Sequence, residues 1–134
     1  MDFPLLIEEL GERSGLDGLR LDEQDSCSVL FDDEHEIEFQ WDRETGSVLI
    51  WCAVGALQDL SEDLSRRLLT QSAFGAATDG AAFGIYEPLN AIVLWQRQPA
   101  GFTDLEDFMK VLERFIAQCA YWKQTIGQPE ESAA

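Results

Sequence analysis

Residues 47–57, SVLIWCAVGAL, are apolar on both sides of an extended chain: Val48, Ile50, Cys52 and Val54 fall on one face, Leu49, Trp51 and Ala53 on the other. A strand with one greasy face can leave the other to water, but this one needs cover on both. The chain must therefore build a sheet around this segment and place something above and below it. The preceding run HEIEFQWD behaves differently, with Ile37, Phe39 and Trp41 alternating against Glu36, Glu38 and Gln40, which predicts a strand with one wet face. RETG joins the two as a hairpin turn, Gly46 being suited to a positive backbone angle. SCSVLF, from Ser26, supplies a further strand.

Helical spacing brackets these strands. Over residues 2–14, Phe3, Leu6, Ile7 and Leu10 share a face opposite Glu8, Glu9, Glu12 and Arg13; Asp2 is placed to cap the helix and Gly15 to end it. Residues 16–25 read as a polar connector. Residues 60–73 predict a second helix, with Leu57, Leu60, Leu64 and Leu68 in phase, Ser61 as cap, and Phe74 and Gly75 closing it. AAFGIYEP and NAIVLWQRQP form a hairpin about the turn Glu87-Pro88-Leu89-Asn90. The last helix begins at Thr103 or Asp104 and carries the stripe Leu105, Phe108, Met109, Leu112, Phe115, Ile116 and Cys119. The expected fold is α+β: an antiparallel sheet of about five strands and three helices, in the order α-β-β-β-α-β-β-α, as one domain over residues 1–126, with a flexible polar tail at 127–134.

Charge and chemistry narrow the function. Asp and Glu number 26 against 9 Lys and Arg, a net charge of −17, which repels phosphate backbones and anionic membranes and leaves no basic footprint for a nucleic acid. The 46% hydrophobic content, with eight Phe and four Trp, separates the chain from acidic disordered sequences. Three scattered cysteines, Cys27, Cys52 and Cys119, suggest neither a disulfide framework nor a zinc knuckle and fit buried thiols in a reducing cytoplasm. The acidic N-terminus lacks the form of a secretory signal, and no run approaches a membrane span.

No nucleophile and base stand out. His35, the one histidine, lies in the charged stretch DDEHEIE and reads as a solvated turn residue. The acids Asp32, Asp33, Glu34, Glu36 and Glu38 lack the ligand alternation and central glycine of a calcium loop and read as a solvated rim. Gly75, Gly80 and Gly84 make no phosphate cradle. No catalytic residue, cofactor or metal is expected. What does stand out is surplus apolar surface: Leu49, Trp51, Val93 and Trp95 need either a further layer of this chain or a partner, and contiguous exposed apolar surface usually marks an interaction site.

The strand followed by GALQDLSEDLSRRLL, the hairpin AAFGIYEPLNAIVLWQRQP and the final helix with Phe115 and Trp122 resemble the bacterial class I type III secretion chaperones, which serve one or a few effectors; the likeness runs from FPLLIEEL to AQCAYWKQTI. Two features depart from the family: TQSAFG follows Leu68-Leu69 where members often carry an asparagine, and the last hairpin turn is Pro88-Leu89-Asn90 where they often carry a glycine. The resemblance implies a non-catalytic cytoplasmic homodimer, with Leu64, Leu68, Phe74, Phe83 and Ile85 in its interface. It further implies that the N-terminal segment of an effector wraps around the dimer in extended form, in grooves here assigned to Leu5 and Ile7 on the first helix and to Phe31, Leu49, Trp51 and Trp95 on the outer sheet face. It also allows a contact with the secretion ATPase. Two readings from other classes remain: an acidic immunity or antitoxin protein that neutralises a basic toxin domain, and a small enzyme using Cys52 or Cys119, which requires an accessible thiol of low pKa.

Overall fold

The computed structural model describes residues 2–127; the polar tail expected beyond Gly127 lies outside the described residues. Helix α1 (Phe3–Ser14) precedes three strands, β1 (Ser26–Phe31), β2 (His35–Asp42) and β3 (Ser47–Ala56); α2 (Glu62–Ser72) leads to β4 (Ala82–Tyr86) and β5 (Ala91–Pro99), and α3 (Leu105–Gly127) closes the chain. The strands form one antiparallel sheet in the order β1-β2-β3-β5-β4, which puts β3 at its centre and leaves β1 and β4 as edges. The α+β order expected from the sequence is the order observed.

Local chemistry sets the ends of the elements. Gly15 ends α1 at φ 73°, and the Leu16 N–H returns to the Gly11 carbonyl at 2.7 Å, closing the helix with a left-handed cap. Asp2 stands at the start of α1 in extended conformation, but its side chain makes no capping bond; its carbonyl accepts from Leu5 and Leu6 instead. At α2 the Ser61 hydroxyl accepts from the Leu64 N–H at 3.0 Å. At α3 the choice between Thr103 and Asp104 falls to Asp104, whose carboxylate accepts from the Asp107 N–H at 3.0 Å, while the Asp107 carboxylate accepts from the Thr103 N–H at 3.1 Å. Gly46 takes φ 71° in the β2–β3 turn.

The core lies between one face of the sheet and helices α1 and α3. Phe3 of α1, Phe39 of β2 and Phe108 of α3 meet with ring centroids 5.7 to 6.3 Å apart, and Phe102 stands 5.0 Å from Phe108. Ile37, Val48, Ile50, Cys52, Leu94, Leu112, Phe115 and Cys119 complete this layer. The connector between α1 and β1 is tied down at both ends. Leu19 packs against Gly11, and Arg43 holds Asp25 through two bonds of 2.9 and 3.0 Å while standing over the Trp41 ring.

His35 corrects its sequence reading. It shares the parity of Ile37 and Phe39, so it turns inward under α3 and is only 4% exposed. Its Nδ1 accepts from Lys123 Nζ at 3.0 Å, and the same ammonium donates to the Glu34 carbonyl at 2.9 Å. The imidazole therefore fastens the end of α3 to the β1–β2 hairpin. Asp32 and Asp33, in that hairpin turn, both adopt positive φ.

Candidate functional site

Among the described residues, two apolar concavities lie outside the core. The first is the sheet face turned away from α1 and α3. Cross-strand register lays its side chains in rows: Glu38, Trp51, Trp95 and Ala82 form one, Gln40, Leu49 and Arg97 a second, and Ala53, Val93 and Gly84 a third. Tyr86 leans across the low third row to stand 5.3 Å from Trp51, ring to ring at 57°. The result is a shallow concavity of about 510 Å³ lined by Gln40, Leu49, Trp51, Tyr86, Val93, Trp95 and Arg97. Trp95 is 38% exposed, although its strand lies inside the sheet. No other layer of the described chain covers this face.

The second surface lies where α2 meets edge strand β4. Leu60, Leu68, Phe83, Ile85 and Ile92 surround a concavity of about 230 Å³. Leu69, fully outside the sequence-derived set, is exposed beside it, and Ile85 is 54% exposed. Phe74 is wholly exposed and held at φ 58°, a left-handed conformation uncommon for an aromatic residue. Leu64 and Leu68, expected in a dimer interface, are buried against the chain's own core; Phe83 is half-buried, its ring edge-on to Trp122 at 5.0 Å. The outward apolar surface here is thus Leu69, Phe74 and Ile85.

Two residues assigned to a partner groove are placed elsewhere. Ile7 is fully buried in the core face of α1, whereas Leu5, on the opposite side, is exposed. Phe31 pairs with His35 and so belongs to the inner face; its neighbour Leu30, paired with Glu36, is the exposed outer residue of β1. Leu49, Trp51 and Trp95 do stand together on the outer face, joined by Tyr86 and Val93. Tyr86 escaped the sequence reading because it sits at a strand end, where its reach to Trp51 depends on the small residues between them.

The three thiols are buried or half-buried, and the hydrogen bond with Cys119 draws Cys52 below the ordinary thiol value. Burial, then the nearby Glu38 and Asp22 carboxylates, push Cys27 up to about 12. Cys52 and Cys119 are both buried, and a hydrogen bond to Cys52, with burial, holds the proton on Cys119. Among the described residues no three potential ligands converge as a metal site, and no helix is long and apolar enough to cross a membrane.

The model of the Tir chaperone protein (CesT) family matches residues 5–123. No curated protein matches the chain. Among solved structures, the chain is similar to one in the ExsC-ExsE complex, with 25% identity and a TM-score of 0.82 over 94% of this chain and 97% of that one. It is also similar to one in the complex of the Yersinia pestis type III secretion chaperone SycH with a stable fragment of YscM2, with 16% identity and a TM-score of 0.67 over 90% and 98%. A third likeness is to the heterodimeric ExoU-SpcU complex from the type III secretion system of Pseudomonas aeruginosa, with 14% identity and a TM-score of 0.63 over 90% and 94%.

Proposed function

The chain belongs to the Tir chaperone protein (CesT) family, and from that membership we propose that it is a class I type III secretion chaperone. In this reading it works in the bacterial cytoplasm as a homodimer, binds the N-terminal segment of an effector in extended, export-competent form, and catalyses nothing. The observation that carries the reading is the uncovered aromatic concavity on the outer sheet face, where Leu49, Trp51 and Trp95 stand together. An extended polypeptide suits such a surface, because alternate side chains enter it while edge strands offer backbone pairing. Leu5 on α1 extends the same role; Ile7 and Phe31, being inward, leave it.

The mechanism is one of differential binding. A partner segment held by the chaperone is withdrawn from the unfolded pool, so its own sticky surface is hidden and the equilibrium is drawn toward the held form by mass action. Handing the complex to a secretion ATPase would then leave the remainder of the effector to be unfolded and exported. The acidic surface keeps the complex soluble and favours basic residues at the rim of the partner. The self-association is proposed through α2 and β4, where Leu69, Phe74 and Ile85 are exposed. The comparisons lend no support to an immunity protein against a toxin domain.

Trp51→Asp and Leu49→Asp test the assignment of the face. Each should leave the oligomeric state unchanged in sedimentation and abolish co-purification of the effector; retained binding by both variants rejects the outer face as the site.

A further inference from the structure

Strand β5 outruns its neighbour: β4 ends at Ala82, opposite Trp95, while β5 continues to Pro99. The Phe83 N–H donates to Ser72 Oγ at 3.1 Å, away from β5. Phe83 and Leu94 are therefore a non-hydrogen-bonded pair, and alternation turns the backbone of Trp95 and Arg97 toward the β4 side. Trp95 meets Ala82 there. The Arg97 N–H and C=O, past the end of β4, find no backbone partner among the described residues.

Beside this free edge, on the side of the sheet covered by α3, is a hollow of about 140 Å³. Its polar lining is Gln96 and Gln98 of β5, Arg114 and Gln118 of α3, and Asp79 of the loop before β4. Gln96 is only 6% exposed, and its amide has no hydrogen-bond partner among the described residues. No fully enclosed side-chain nitrogen or oxygen among those residues lacks a partner, so the Gln96 amide is open to the hollow that it lines. Gln118 Oε1 accepts from the Trp122 indole N–H at 3.1 Å, which leaves its own NH2 to donate. Arg114 donates from Nε to Asp79 Oδ2 at 2.8 Å and from Nη2 to Oδ1, so the two charges of the lining answer each other.

These groups define what fits. A water needs about 10–15 Å³ of such a volume, so the hollow has room for a side chain. A buried amide without a partner is unfavourable, and a ligand that pairs with it recovers that free energy. The ligand must both donate and accept, because Gln96 offers both, and it must bring no net charge, because the lining has none to answer it. A carboxylate leaves Gln96 Oε1 unmet, an ammonium cannot accept from its NH2, and an apolar group does neither. A carboxamide pairs with Gln96 through two reciprocal N–H···O bonds and has a lone pair left for the Gln118 NH2.

We propose that the hollow is a binding site for a carboxamide, supplied by a glutamine or asparagine side chain of an extended polypeptide that pairs with the free Arg97 edge. In an antiparallel addition the residue opposite Gln96 turns its side chain to the same face as Gln96, which carries it into the hollow. The site lies on the helix-covered side of the sheet, apart from the outer concavity, and does not depend on the role proposed for that face.

Nuclear magnetic resonance titration of the full chain tests it, read at the side-chain NH2 signals of Gln96, which Gln96→Met identifies by their loss. The probes are five-residue peptides of serine and alanine with a central Gln, Asn, Glu or Met, capped as N-methylamides so that only the central side chain carries a primary amide; propionamide is the free counterpart. The Gln or Asn peptide should move these signals and bind roughly tenfold tighter than the Glu and Met peptides, and tighter than propionamide. Gln96→Met, and separately Gln98→Met, should reduce the preference for Gln over Met, read at backbone signals around Arg97, with circular dichroism confirming the fold. Equal binding of the four peptides, or a preference untouched by both variants, overturns the carboxamide site. Propionamide binding as tightly as the peptides overturns the polypeptide source, and Gln96 signals that no probe moves mean that the hollow holds water alone and overturn the proposal.

Discussion

Gly11 shows how one residue joins two segments. It lies inside α1, where alanine would normally stabilise a helix by about 1 kcal/mol. Here an added Cβ would stand 2.6 Å from Leu19 Cβ and 2.8 Å from the Leu16 carbonyl oxygen, so the connector would have to move. Gly11→Ala should therefore destabilise the protein, by about 1–3 kcal/mol, as a lowered thermal midpoint. The thiols make a second residue-scale prediction: alkylation of Cys27, Cys52 and Cys119 in the native protein should be slow until denaturant is added, whereas rapid labelling of one thiol would revive a thiol enzyme. Residue roles were only partly legible in the sequence. The stripe Phe3, Leu6, Ile7 and Leu10 was visible as one face of α1, yet that same membership makes Ile7 core and leaves the groove to Leu5. His35 looked solvated because its sequence neighbours are charged, but the parity it shares with Ile37 carries it under α3 to Lys123. Phe31 erred for the same reason, since the phase of β1 relative to the core is set by pairing with β2.

At the scale of elements, the alternation in β2 and the two-faced hydrophobicity of β3 determined most of the fold. A central strand apolar on both sides requires a sheet with one face under helices and the other partnered, and the observed order places β3 between β2 and β5. Helix α2 was legible as a helix but not in its packing. Leu64 and Leu68 carry the helical period and therefore turn inward, so the exposed residues of this region are those outside the period, Leu69 and the positive-φ Phe74. The proposed dimer then depends on the exposed set. Ile85→Asp on edge strand β4 should weaken self-association by about 2 kcal/mol or more, as expected for a central interface residue, and appear as monomer in sedimentation with an unchanged circular dichroism spectrum. A dimer that survives Ile85→Asp, Leu69→Asp and Phe74→Asp together must use another surface.

For the molecule as a whole, the net charge of −17 is a cost that the fold carries. Like charges spread over a small surface repel one another, and the repulsion is screened by salt. Raising ionic strength should raise the thermal midpoint of the free protein, and a midpoint that falls with salt would mean that specific ion pairs outweigh the repulsion. A partner with basic residues relieves the same repulsion without salt. In the proposed function the outer face holds an extended N-terminal segment of an exported protein. The most direct measurement is capture of the partner on the tagged protein in its native cell, with limited proteolysis and mass spectrometry defining the protected region. Protection of an extended N-terminal segment, lost in Trp51→Asp, is the predicted result; protection of a compact, basic, folded domain would contradict it.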